Sequence, residues 1–101
     1  MRIWYKEGVY GELVPEAAEG LRRLKRYWFT NHFGDLFITS LREGTHLPHS
    51  YHANGRAFDI QLPPRDIKIE DFLNPLLECM GSGWVMVNEE NHLHFQLSWK
   101  D

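Results

Sequence analysis

Six histidines occur in the chain, and five of them fall in two short windows: His46, His49 and His52, then His92 and His94. Neutral imidazole is the commonest side-chain metal ligand, so this clustering points first to metal chemistry. A catalytic zinc site takes three protein ligands and keeps one place for water. His52 and Asp59, with Gly55 and Ala57 between them, can supply two of the three. His94, on a strand brought against the one that carries Asp59, would supply the third. Gly55 lets the chain turn sharply after His52, and the small Ala57 leaves space on the face that Asp59 occupies. Arg42, at the end of an earlier strand, is a further residue of chemical interest. His46 and His49 are expected to be exposed or hydrogen-bonded in the loop ahead of His52, and His32 is expected at a helix end. Cys79 is the only cysteine, which excludes an internal disulfide and a Cys-rich zinc knuckle. It is expected to be a small buried apolar residue.

The elements that position these groups follow from periodicity. Arg2 to Lys6 can form a short strand. Pro15 suits the first turn of a helix, and Ala18, Leu21, Leu24 and Trp28 then recur at spacings of three and four as an apolar stripe. Arg22, Arg23, Lys25 and Arg26 lie mostly off it, as a solvated face, and Gly34 ends the segment. Asp35 to Leu41 reads as a strand and Arg42 to Ser50, with Gly44 and Pro48, as a loop. From Gly55 to Leu62 the chain alternates, with Ala57 and Asp59 on one face and Phe58 and Ile60 on the other. Pro63 and Pro64 end that strand. Ile69, Phe72, Leu73, Leu76, Leu77 and Met80 form a helix face, which Pro75 kinks or divides. Trp84 to Glu89 and His92 to Trp99 read as an antiparallel hairpin linked by Glu90-Asn91, with Asn91 suited to a turn that needs positive φ. The second strand sends Leu93, Phe95 and Leu97 to one face and His92, His94 and Gln96 to the other.

With 101 residues, 43% apolar and 14% aromatic, the chain is expected to form a single globular domain over residues 1–101. A net charge of −3 argues against nucleic-acid binding through a basic face. No run of 18 apolar residues exists, so no membrane insertion is expected. The opening MRIWYKEGVYGE lacks the apolar core of a secretory signal. The predicted architecture is α+β: a small antiparallel sheet that carries the metal on one face, with helices packed on the other.

SYHANGRAFD, residues 50–59, forms S-x-H-x-x-G-x-A-x-D and resembles the first zinc motif of the D-Ala-D-Ala metallopeptidases, the M15 peptidases. These share one structural group with lysostaphin-type enzymes and the Hedgehog signalling domain. HLHF, residues 92–95, looks like the H-x-H motif that closes the site in that group. ITSLR, residues 38–42, is similar to the preceding strand, often S-G-Y-R, with Leu41 in place of the aromatic and no glycine. The resemblance spans Leu36 to Leu97. It implies a Hedgehog/DD-peptidase-like fold in which His52, Asp59 and His94 bind zinc. It further implies that His92 acts as general base or orients the transition state, that Arg42 pairs with a carboxylate at the substrate terminus, and that Ser50 supports the site from behind. Several members use E-x-x-H, and Glu89 to His92 fits that spacing. In that register His92 would be the ligand and Glu89 the base. His94 is preferred as ligand because HF followed by a polar and then an apolar residue resembles the closing strand, with Glu89 across from His92. The implied activity is hydrolysis of short peptides, with peptidoglycan stem peptides as substrate. The implied setting is cytoplasmic, or phage-encoded with release to the cell wall. Two rival readings stand beside it: a zinc-binding domain of the same fold without peptidase activity, used for partner binding, and a metal-free α+β interaction domain.

Overall fold

The computed structural model describes residues 2–42 and 51–98. In chain order the elements are β1 (Ile3–Tyr5), α1 (Pro15–Thr30), β2 (Leu36–Ser40), β3 (Ala57–Gln61), α2 (Ile69–Met80), β4 (Trp84–Asn88) and β5 (His92–Leu97). The five strands form one sheet in the order β1-β2-β3-β5-β4. The pairs β2/β3, β3/β5 and β5/β4 are antiparallel, but β1 runs parallel to β2. The sheet is therefore mixed, not wholly antiparallel as the sequence suggests. The reason lies in the connection: parallel neighbours need a long crossover, and α1 is that crossover.

Both helices pack on one face of the sheet. Leu21, Leu24 and Trp28 of α1 and Phe72, Leu76 and Met80 of α2 meet Leu36, Ile38, Phe58, Ile60, Leu93 and Phe95 in one core. The stripe of α1 starts at Ala17 rather than Ala18, and Gly20 lies on it. A β-carbon on Gly20 would run into the indole of Trp84, so glycine is what lets α1 approach β4 this closely. The helix ends at Thr30, short of Gly34, and His32 follows its C-cap Asn31 with φ at +56°. There the amide of Phe33 reaches back to the carbonyl of Trp28 at 3.2 Å. α2 runs unbroken through Pro75, whose ring lies on the exposed side. Cys79 is exposed on the same helix and is not a core residue. Among the described residues, no helix is long and apolar enough to cross a membrane.

Candidate metal centre

The register of β3 on β5 decides which side chains meet. Asp59 stands directly opposite His94, Gln61 opposite His92, and Ala57 opposite Gln96. Phe58 pairs with Phe95 and Ile60 with Leu93, and these four are fully buried under the helices. Because strand side chains alternate, burying that apolar set forces Asp59, His92, His94 and Gln96 together onto the other face.

His52 arrives from the turn before β3. That turn is closed by the amide of Arg56 on the carbonyl of Tyr51 at 2.8 Å and the amide of Gly55 on the carbonyl of His52 at 3.1 Å. Gly55 has φ at +70°, and a β-carbon there would lie 3.0 Å from the carbonyl oxygen of Glu12. The position thus calls for glycine on two grounds, conformation and space. Two bonds stitch the turn to the end of β2. Arg42 donates to the carbonyl of Ala53 at 3.0 Å, and the His52 ring lies 2.7 Å from the carbonyl of Leu41 through Nδ1.

The outward partners of the imidazoles fix their tautomers. A carbonyl oxygen can only accept, so His52 carries its hydrogen on Nδ1 and turns the lone pair of Nε2 inward. His94 Nε2 is 2.9 Å from Gln96 Oε1, which places a hydrogen there, so that in the neutral ring the lone pair lies on Nδ1. These two bare nitrogens converge on one carboxylate oxygen. Asp59 Oδ1 is 2.8 Å from His94 Nδ1 and 3.2 Å from His52 Nε2, and the two nitrogens are 3.3 Å apart. His92 repeats the pattern at the rim. Its Nδ1 lies 2.5 Å from Asn91 Oδ1, and its Nε2 faces Asp59 Oδ2 at 3.5 Å.

Three acceptors aimed at one another repel unless positive charge lies among them. Protons are one source. Burial would push the Asp59 carboxyl up, yet hydrogen bonds from His52 and His94, and their charge, hold it well below the ordinary carboxylate range. Burial alone would lower His52, but its bonds to Asp59 and Leu41 carry it above the usual imidazole value. His94 is raised chiefly by its bond to Asp59, against the opposing effect of burial. A metal ion is the other source. Four ligands at zinc's usual bond lengths of about 2.0–2.1 Å stand about 3.3 Å apart at the corners of a tetrahedron. The observed edges of 2.8, 3.2 and 3.3 Å are close to that, so His52, Asp59 and His94 form a group that can hold a metal ion.

The other residues singled out in the sequence are placed as follows. The Arg42 guanidinium is directed at two backbone carbonyls, Ala53 at 3.0 Å and Glu12 at 3.5 Å. Glu89 is exposed, and its amide bonds the carbonyl of His92 at 3.0 Å, so it does stand across from that histidine. The turn between them does not place Asn91 at positive φ, since His32 is the only non-glycine described there. Asn91 instead turns its side chain to His92. Ser50, His46 and His49 lie outside the described residues. Sequence reasoning overlooked the roles of Gln96, Asn91 and the Leu41 carbonyl as outer partners of the three histidines. Gln96 was visible as the next same-face residue after His94, whereas a backbone carbonyl leaves no mark in side-chain pattern. The chain matches no protein-family model, no curated protein and no solved structure.

Proposed function

We propose that this chain is a zinc-dependent peptidase acting on short peptides, with peptidoglycan stem peptides as its substrate class and a Hedgehog/DD-peptidase-like fold. The observation that carries this reading is the convergence of His52 Nε2, Asp59 Oδ1 and His94 Nδ1, with the outer nitrogen of each histidine already partnered. Such outer partners are what orient metal ligands and fix their tautomers. His52, Asp59 and His94 would hold the metal. Zinc bound there supplies a Lewis acid for a peptide carbonyl and an acidified water.

The remaining chemistry falls to the chain's own side chains. His92 is 31% exposed at its side chain, lies at the rim, and keeps Nε2 as a lone pair because Asn91 holds Nδ1. It is the group suited to accept the proton of an attacking water and return it to the leaving amine. Glu89, across the hairpin, adds negative charge near His94 and would help to hold a proton on this rim. Arg42 spends two donors on Ala53 and Glu12, and the rest of its planar fork would receive a terminal carboxylate.

A second reading is favoured by the same rim residue. If His92 Nε2 serves as a fourth ligand, the site is closed, zinc is structural, and the domain binds a partner instead of hydrolysing peptides. The test is zinc stoichiometry after dialysis for wild type, Asp59→Ala, His94→Ala and His92→Ala, followed by assays on stem peptides. The peptidase reading expects one zinc in wild type, little in the Asp59 and His94 variants, and full zinc without turnover in His92→Ala. Loss of zinc in His92→Ala selects the closed site. No zinc in wild type, even after it is added back, removes both.

A further inference from the structure

The sheet has two edges, and only one of them is blunted. β1 is three residues long, sits between Arg2 and Lys6, and has its Trp4 indole tied to Asp35 at 3.1 Å. β4 is Trp84-Val85-Met86-Val87-Asn88, with no charge and no proline, and it pairs with β5 in an unshifted register. Natural edge strands normally carry such interruptions because an open edge is a template for pairing. Val85 and Val87 are each 42% exposed, on the face that carries Gln96 and His94.

The ladder shows which peptide groups of β4 lack a strand partner among the described residues. Glu89 donates to the His92 carbonyl at 3.0 Å, and Ser98 donates to the Gly83 carbonyl at 2.9 Å. Bonded and non-bonded pairs alternate in an antiparallel ladder, so Val85 and Val87 also turn their peptide groups toward β5. Trp84, Met86 and Asn88 turn theirs outward.

We propose that β4 pairs antiparallel with β4 of a second copy of this chain, about a twofold axis at Met86, to give a continuous ten-stranded sheet. Three features select a second copy as the occupant. In this register Met86 bonds to itself across the axis and Trp84 to Asn88, which satisfies every outward peptide group of both strands. Val85 of each copy meets Val87 of the other at the non-hydrogen-bonded positions, where Cα atoms approach to about 4.5 Å and branched apolar pairs are favoured. The acidic Glu89-Glu90 turn comes alongside residues 81–83 of the second copy, and the Arg23 guanidinium lies 3.5 Å from where a Gly81 β-carbon would be. An extended substrate peptide fits this edge poorly. It would lie two strand spacings, about 10 Å, from β5, too far to bring a carbonyl over Asp59 and His94.

The twofold axis is perpendicular to the sheet, so both copies keep their helices on one side and their histidine clusters on the other. The clusters stand four spacings, about 20 Å, apart. A pair of five-residue edges covers less than the about 800 Å² per partner of a standard stable interface, so association is weak and concentration-dependent.

The test is equilibrium sedimentation of the full chain from about 10 to about 500 μM, which spans dissociation constants typical of weak complexes. The expected result is a mass that rises from 12.0 kDa toward twice that value. Val85→Lys should stay at monomer mass throughout, with an unchanged far-UV spectrum to show that it folds. Adding Val87→Glu should restore dimerisation, because the introduced lysine of each copy then faces the introduced glutamate of the other. A wild type that remains monomeric overturns the proposal and leaves the edge to some other strand. So does a Val85→Lys chain that dimerises like wild type, or a double variant that fails to recover. The wild-type and Val85→Lys outcomes do not involve the histidines, and the double variant, whose position 87 stands opposite His94, is compared with and without a chelator, so these results are separate from the test of the peptidase reading.

Discussion

The two faces of β3 and β5 share one hydrogen-bond ladder and have opposite physical tasks. On one face Phe58, Ile60, Leu93 and Phe95 are fully buried against both helices. Each such side chain contributes about 1.5–3 kcal/mol by leaving water. On the other face, one residue along, Asp59 and His94 have side chains only 14% and 15% exposed. There the same partial burial works against the fold, because it strips solvent from a carboxylate and two imidazoles whose bare nitrogens face it. The apolar face supplies stability at every pH, whereas what the polar face contributes depends on its protonation. Alternation lets one five-residue strand do both, and it lets the two tasks be separated by mutating neighbours.

The largest effect is expected from that separation. Phe95→Ala should cost about 3–5 kcal/mol, a large share of the about 5–15 kcal/mol that holds a domain of this size. His94→Ala, its neighbour, should cost far less, and least at alkaline pH, where the ring is neutral and only an acceptor leaves a crowded set. Chemical denaturation of the two metal-free variants measures this directly. Equal destabilisation would mean that the polar face contributes to the fold as the apolar face does.

Next in size are the ligands against their outer partners. Loss of an outer hydrogen bond to a metal-bound histidine typically weakens metal binding about 10–100-fold, so Gln96→Ala should fall in that range. Asp59→Ala would remove a proposed ligand atom and should weaken zinc by more. Competition titrations with a chelator rank the two. A Gln96→Ala affinity equal to wild type would show that the 2.9 Å contact to His94 does not orient the ligand.

Much of this division was legible in the sequence, because it rests on local pattern. The alternation in β5 places Leu93 and Phe95 opposite to His92, His94 and Gln96, and the structure keeps that assignment. The Gly55 turn follows from a residue type with a local cause. Three features were not legible. The parallel pairing of β1 depends on where α1 returns the chain, which three exposed residues cannot encode. The burial of Ala17 instead of Ala18 is not decided by spacing, since either fits one helix face with Leu21, Leu24 and Trp28, and the approach of Gly20 to Trp84 is a contact between distant segments. The Arg42 side chain is drawn to the carbonyls of Ala53 and Glu12, and backbone acceptors are invisible to motif reasoning.

The smallest effect, and the sharpest contrast, concerns pH. His52 and His94 have folded-state pKa values raised above the unfolded value of 6.5. Their contribution to stability is therefore fully present below pH 6.5 and is lost as pH rises through the folded values. Asp59 is depressed below its unfolded value of 3.8, so its contribution is present above that pH and is lost as pH falls toward the folded value. The metal-free protein should be most stable between these limits, and its Tm should decline from pH 6 to pH 8. If zinc binds as proposed, it should reverse the slope on the alkaline side, because imidazole must shed its proton to bind and affinity therefore rises with pH. Asp59→Asn should flatten the metal-free profile, since a neutral amide does not hold an imidazolium as a carboxylate does. Phe95→Leu, a change confined to the apolar face, should shift the whole curve without altering its slope. Thermal melts at closely spaced pH values, with and without zinc, distinguish these shapes. Parallel curves for the two forms would mean that protons and zinc do not compete for the nitrogens of His52 and His94.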